Sequence, residues 1–272
     1  MSNSQKKNDF RPVGAVVGLG AWAFGFMLFL YLPIVILVLY SFNASKLVMV
    51  WSGFSLEWYA KVFDNADIRR AALNSLIVAS SATVCATVLA TLAALVLVRG
   101  GVFRGRGASM TIIALPLMVP EIVTAVALLI VFAGTGLSLG LGNVIIAHTT
   151  FCIPFAFLPI RARLEGMETT LEQASADLYG TELATFRYVT LPILMPGILA
   201  GAMLAFVISL DDFIITMMVS SAGGTTLPVY IYSMIRQGVT PEINAISTLL
   251  LIVSSVLVTL YWLVTRKQGA ER

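Results

Sequence analysis

Three carboxylates stand where the sequence is otherwise apolar: Glu121 in "LMVPEIVTAV", and the adjacent Asp211 and Asp212 in "ISLDDFIIT". An ionised carboxylate at the centre of a bilayer costs about 2.5–3.5 kcal/mol on insertion scales. Such groups are kept where they face a bundle interior or a water-filled path, and the chemistry they offer there is attraction of cations. The remaining reactive side chains are sparse. His148 is the only histidine, and Cys85 and Cys152 are the only cysteines. A lone imidazole cannot build a metal site, so a structural hydrogen bond is expected of His148. Both cysteines fall in apolar runs and read as small core residues. No nucleophile–base pair or metal-ligand cluster emerges, and no catalytic or metal-binding residue is assigned. The phosphate-binding pattern G-x-x-x-x-G-K-[ST] is missing as well, so the chain has no nucleotide site of that kind.

The elements that must hold these acids are membrane helices. Of 272 residues, 58% are hydrophobic and 11% charged, against about 25% charged in soluble domains. Six runs are long enough to span: 14–40, 72–98, 108–133, 143–163, 193–219 and 243–264. No segment alternates polar and apolar residues over the ten positions of a barrel strand. The fold class expected is all-α, with six transmembrane helices. The first run is too long for a cleavable signal peptide. There is no internal repeat, and inverted repeats are what an ion-coupled secondary transporter would show.

Placed on these helices, Glu121 lies thirteen residues into the third span, about 20 Å deep at 1.5 Å per residue. Asp211 lies about 27 Å along the fifth by the same rise. Neighbours on a helix point about 100° apart, so Asp211 and Asp212 cannot both face one narrow path. One is expected to line it while the other pairs with a neighbouring helix or subunit. The competing reading ends the fifth span early and leaves both at the wet interface. Glu121 follows Pro116 and Pro120, which can break a helix and free its carbonyls. Either a solute path or a structural hydrogen bond accounts for it.

Lys and Arg set the orientation. With the N-terminus inside, the inner segments hold twelve basic residues and the outer segments five. Both termini are therefore expected to be cytoplasmic. Two outer segments exceed a turn. In the first, Trp51, Trp58 and Tyr59 suit a membrane-interface belt. The second, 220–242, is semi-apolar and too short to span, so it must pack against protein. Tyr230 and Tyr232 in it read as interface anchors. A net charge of +3 spread over membrane loops is no sign of nucleic acid.

One inner segment looks soluble: "LEQASADLYGTELATFRYVTLP", residues 171–192. Thr169 with Glu172 and Thr170 with Gln173 have capping-box spacing. Leu171, Ala174, Ser175 and Leu178 fall on one face, with Glu172, Gln173 and Asp177 further out. Gly180 is placed to end the helix in a left-handed conformation. Pro192 is expected to stop a second short helix and open the next span. The stretch is either an amphipathic helix resting on the membrane or a ridge for docking into a cytoplasmic partner.

Its spacing resembles the EAA loop of permease subunits of binding-protein-dependent ABC importers. That pattern is Glu-Ala-Ala, three residues, Gly, nine residues, Ile, one residue, Leu-Pro. Gln173, Ala174 and Ser175 take the first places, with Glu172 just before. Tyr179 takes the glycine place, with Gly180 just after, and Val189, Leu191 and Pro192 close the pattern. "WSGFSLEWYAKVF", "LPLMVPEIVTAVALL" and "AHTTFCIPFAFLPIRARL" resemble further parts of the same family. "AFVISLDDFIITMMVS" and "LPVYIYSMIRQGVTPEINAIST" resemble its polyamine branch.

The resemblance implies one permease domain, 14–265, between cytoplasmic tails 1–13 and 266–272, with a coupling loop at 165–192 between the fourth and fifth spans. It implies a bacterial inner-membrane location, a second homologous permease, two cytoplasmic ATPase subunits that bind ATP and magnesium, and a periplasmic solute-binding protein. Glu172, Gln173, Ala174, Ser175, Asp177, Tyr179, Gly180, Leu191 and Pro192 would form the ATPase-coupling surface. Asp211, Asp212 and Glu121 would line the path of putrescine, spermidine or another cationic or amino-acid-like solute.

Overall fold

A computed structural model describes residues 19–269 except 48–49, 222 and 239, with side chains described from Gly20 to Thr259. The expected tail 1–13 lies outside these residues, as do positions 270–272 of the other tail.

The helices in chain order are α1 (Leu19–Tyr40), α2 (Glu57–Asp64), α3 (Ala66–Arg99), α4 (Arg106–Met118), α5 (Glu121–Thr135), α6 (Leu141–Glu165), α7 (Thr170–Asp177), α8 (Glu182–Thr185), α9 (Leu191–Asp211), α10 (Ile214–Val219), α11 (Leu227–Gln237) and α12 (Pro241–Gly269). Among the described residues the extended pairing is a single bridge, Asn43 with Phe54. Five helical stretches are long and apolar enough to cross a bilayer, and α4 with α5 makes a sixth crossing if that bent pair is one span. This agrees with the expected six.

Two expected spans are broken, and both breaks fall at the acids. The third is not one rod: α4 and α5 meet at an angle of 111°. Pro120 has no N–H to continue α4 and is extended, with ψ at 134°. The depth expected for Glu121 on a straight helix therefore does not hold, because Glu121 is the first residue of α5. The fifth span also breaks. Asp212 leaves the helix at ψ 128°, and α10 starts two residues later.

The centre of the bundle is α3, α6 and α9. Ala86, Ala90 and Ala94 of α3 line up at four-residue spacing and meet Cys152, Ala156, Ile160, Leu194 and Ala205. The approach is close enough to require glycine: a Cβ on Gly201 would lie 2.5 Å from the Ala156 carbonyl oxygen. Small residues that let backbones touch are how helices pack without help from water. Two further cores flank this one. Val78, Ala125, Phe132, Ala147 and Ile215 join α3, α5, α6 and α10, while Trp58, Ile68, Ala71, Leu227 and Ile246 join α2, α3, α11 and α12.

The interface-belt expectation is corrected for two of its three aromatics. Trp58 is buried, and its indole N–H donates to the Asn43 carbonyl at 2.7 Å. The Tyr59 hydroxyl lies 2.6 Å from Ser41 Oγ. Both rings fold inward because their polar tips find backbone and hydroxyl partners there. Cys152 is in the core as expected, but Cys85 is exposed on α3.

Candidate functional site

The two helix breaks meet. A cavity of about 480 Å³ is lined by Glu121, Asp211, Asp212 and Phe213, with Phe151 and Phe155 of α6 and Val207, Ile208 and Ile214 completing the wall. All three acids singled out in the sequence are therefore brought to one place.

They do not do the same work there. Asp212 is buried and its carboxylate is saturated. Oδ1 accepts from the Ile215 N–H at 3.3 Å, and Oδ2 accepts from the Thr216 N–H and hydroxyl, each at 3.0 Å. Oδ2 also lies 3.0 Å from His148 Nε2. The backbone bonds cap the start of α10 and satisfy donors the break would otherwise orphan. The other side of the ring is held too, with His148 Nδ1 2.7 Å from Ser209 Oγ and Nε2 2.8 Å from Thr216 Oγ1. His148 thus ties α6 to both sides of the break, the structural bond expected of it, though with more partners than expected. The sequence offered no signal for Ser209 and Thr216 beyond their presence near the acids.

Asp211 is exposed and has no hydrogen-bond or ion-pair partner among the described residues. Glu121 is half-buried, and its carboxyl lies beside that of Asp212. The cavity thus offers a partnerless Asp211, and Glu121 set against the committed Asp212, beside three phenyl rings, a wall suited to cations. Discontinuous membrane helices with ends that converge on a cavity are the usual way transporters build such walls. Phe213 stands in the break and contacts Tyr232 of α11, ring centroids 4.6 Å apart. Tyr232 is thereby joined to the cavity wall, a link that its reading as an interface anchor missed.

The second cluster, 171–192, differs from expectation in four ways. No capping box forms: Thr169 precedes α7 in a helical conformation with no side-chain bond. Glu172 points inward, not outward. Its Oε2 lies 3.3 Å from Arg99 Nε, and its Oε1 accepts from the Thr190 hydroxyl at 2.9 Å. A guanidinium and a hydroxyl within reach outweigh the solvent that the sequence pattern assigned to this side chain. The left-handed residue is Tyr179, φ 59°, not Gly180. Gly180 is needed for a different reason, since its N–H donates to the Ser175 carbonyl at 2.8 Å and a Cβ there would lie 2.5 Å from Ser175 Oγ.

Lastly, Pro192 does not stop a helix. Residues 182–211 run on as one span, with a wide π turn at Phe186–Thr190 just before the proline. Pro192 has no N–H to donate, and the wider turn absorbs the missing bond. Leu191 and Pro192 are thus the first residues of α9, as expected of Pro192, but the helix runs into them from the π turn without a break. Outward, α7 and its surroundings expose Leu171, Gln173, Ala174, Asp177, Leu178, Tyr179 and Leu183. Ser175 is turned in, 2.8 Å from the Thr185 hydroxyl.

Comparison with known proteins gives this geometry a family. Residues 86–267 match the family described as binding-protein-dependent transport system inner membrane component. The chain is 39% identical over 250 residues to the putrescine transport system permease protein PotI of Escherichia coli (strain K12), covering 90% of this chain and 89% of that protein. It is likewise 39% identical over 249 residues to the spermidine/putrescine transport system permease protein PotC of Haemophilus influenzae, covering 92% and 96%. In fold it is similar to a chain of a bacterial ABC transporter involved in import of the acidic polysaccharide alginate, at TM-score 0.69 and 17% identity over 91% of this chain and 94% of that one. A chain of the MetNI methionine ABC transporter gives TM-score 0.61 at 20% identity over 73% and 94%. On this evidence the chain belongs to the binding-protein-dependent transport system inner membrane components and is a multi-pass permease subunit of such an importer.

Proposed function

We propose that this permease passes polyamines, putrescine or spermidine, through the cavity between α5, α6 and the α9–α10 break. The observation that carries the proposal is the convergence of the Glu121 and Asp211 carboxyls with the rings of Phe151, Phe155 and Phe213 around one cavity. A polyamine is a flexible chain with ammonium groups along it. Its charges suit carboxylates and aromatic faces, and its methylenes suit the apolar remainder. In this reading Asp212 holds the broken helix in place, and Asp211 and Glu121 meet the solute. The names of the related permeases support the same class of solute.

The same reading places the chain in the bacterial inner membrane with both termini cytoplasmic, on the lysine and arginine asymmetry. It has a second homologous permease beside it and two ATPase subunits, which bind ATP and magnesium, below. A periplasmic solute-binding protein docks on the opposite side, over the segments that contain α2 and α11. The single permease domain spans 14–265. The ATPase seat is the loop 165–192, where α7 and its neighbours present exposed Leu171, Ala174, Leu178, Tyr179 and Leu183. A ridge of apolar side chains outside the membrane is a surface for a groove in a partner.

The test is uptake of radiolabelled putrescine and spermidine by the whole complex in vesicles. Saturable uptake of one, competed by the other, is expected. If neither is transported nor competes, the solute assignment is wrong. The second reading keeps the machine and changes the cargo to another organic cation, which the same cavity wall would accept.

A further inference from the structure

α7 is joined to the rest of the chain by few side chains. None of its residues is buried, and a cavity of about 620 Å³ separates it from the end of α3. Among the described residues, two bonds tie it to the start of the fifth span, Thr190 to Glu172 and Ser175 to Thr185. To α3 it is tied by the ion pair of Glu172 with Arg99. The same guanidinium donates from Nη2 to the Met167 carbonyl at 2.9 Å, so Arg99 grips both α7 and the turn that leads into it.

What Arg99 terminates is unusual in this bundle. α3 is 34 residues long, about 50 Å at 1.5 Å per residue. It contains neither glycine nor proline, whereas α4, α6 and α9 each carry an internal proline. The proline and glycine that most sharply kink helices are missing from it. Near its far end, Asn74 Nδ2 donates to the carbonyls of Gly223 and Thr225 at 3.0 and 2.9 Å. Ser75 Oγ accepts from the Leu227 N–H at 2.8 Å. These bonds hold the first residue of α11 and the strand of chain before it. α11 then turns one face onto α3 and α12 through Leu227, Tyr230, Ile231 and Met234, and its other face puts Tyr232 against Phe213 at the carboxylate cavity.

We propose that α3 is a rigid strut that carries displacement of α7 to α11, and through Tyr232 and Phe213 to the mouth of the carboxylate cavity. Arg99 is its lower joint and Asn74 with Ser75 its upper joint. The proposal rests on the reading of α7 as the ATPase seat. Arg99 and Asn74 are positioning residues, touching neither nucleotide nor solute. The route through α9 lacks this stiffness, because that helix carries Pro196 and closely packed Gly197 and Gly201 before it ends at Asp211.

The test uses the complete transporter in proteoliposomes, with ATP hydrolysis, ATPase copurification and putrescine uptake measured together. Arg99→Gln and Asn74→Ala are each expected to keep copurification and hydrolysis close to wild type while uptake falls about tenfold, within the range of coupling free energies. The double variant is expected to fall no further than the worse single one, because both joints serve one strut. Exchanging the charges, Arg99→Glu with Glu172→Arg, is expected to recover uptake. Losses that multiply to about hundredfold would mean independent sites and overturn the strut. So would wild-type uptake in either single variant, no recovery on charge exchange, or loss of the ATPase from Arg99→Gln, which would make Arg99 a docking residue. Failure of the docking reading appears separately, as unchanged ATPase copurification together with unchanged uptake in Ala174→Asp.

Discussion

Asp212 and His148 meet across the gap between α9 and α6, Oδ2 to Nε2 at 3.0 Å, with both side chains almost fully buried. Asp212 therefore fixes the break in the fifth span through His148, caps α10 through the Ile215 and Thr216 N–H groups, and leaves the adjacent Asp211 for the solute. Neighbouring residues with the same chemistry are divided by helix geometry: one is spent on structure and the other remains available.

The first expectation concerns stability. Asp212→Asn places an amide among the N–H groups of Ile215 and Thr216 and removes the charge that faces His148. Leaving a buried donor without its acceptor costs about 1–3 kcal/mol. Asp211→Asn, at an exposed position without a partner, should stay within about 0.5 kcal/mol. Thermal unfolding of the detergent-solubilised complex measures the contrast. Equal melting temperatures for the two variants would remove Asp212 from its structural role.

Transport should divide the other way. Asp211→Asn and Glu121→Gln are expected to assemble normally and to raise the KM for putrescine about tenfold each, which is about 1.4 kcal/mol. That is a fraction of the ~4 kcal/mol between unit charges 4 Å apart at an effective dielectric of 20. Uptake kinetics in vesicles decide it. Unchanged KM in both variants would exclude these carboxyls from the path.

Much of this was legible in the sequence, for reasons that differ by residue. The crossings could be counted because each apolar run must match the bilayer thickness. The acids stood out because charge in lipid is costly. Pro120 signalled the break at Glu121, but not the 111° bend, which depends on what α5 packs against. Partnership was the part the pattern could not carry. Arg99 and Glu172 are 73 positions apart, so nothing local marks them as a pair, and helical periodicity alone turned Glu172 outward. Trp58 read as an interface anchor until the Asn43 carbonyl gave its N–H a buried partner.

The loop after α7 allows a test of backbone chemistry. Tyr179 occupies a left-handed conformation that costs a non-glycine residue about 1–2 kcal/mol. Tyr179→Gly should remove that strain and offset its own gain in unfolded-state entropy, so the loop is expected to be at least as well protected. Gly180→Ala should open it, because the new Cβ would lie 2.7 Å from the Ser175 carbonyl oxygen. Hydrogen exchange at the Gly180 amide, which is bonded to that carbonyl, reads both. Faster exchange in Tyr179→Gly than in Gly180→Ala would put the turn in the wrong register.

The last expectation is docking. Ala174 is exposed on α7, one residue from inward-turned Ser175 and beyond the reach of the Arg99–Glu172 pair. A change there need not disturb the fold, since no residue of α7 is buried. Ala174→Asp adds a charge and bulk to the middle of the exposed ridge, and a desolvated, unpaired carboxylate at an interface is expected to cost several kcal/mol. The ATPase should then fail to copurify, or should hydrolyse ATP without driving uptake, while the melting temperature of the permease pair is unchanged. Normal copurification together with normal uptake would mean that the ATPase sits elsewhere, and α7 would then be a helix that only rests at the membrane surface.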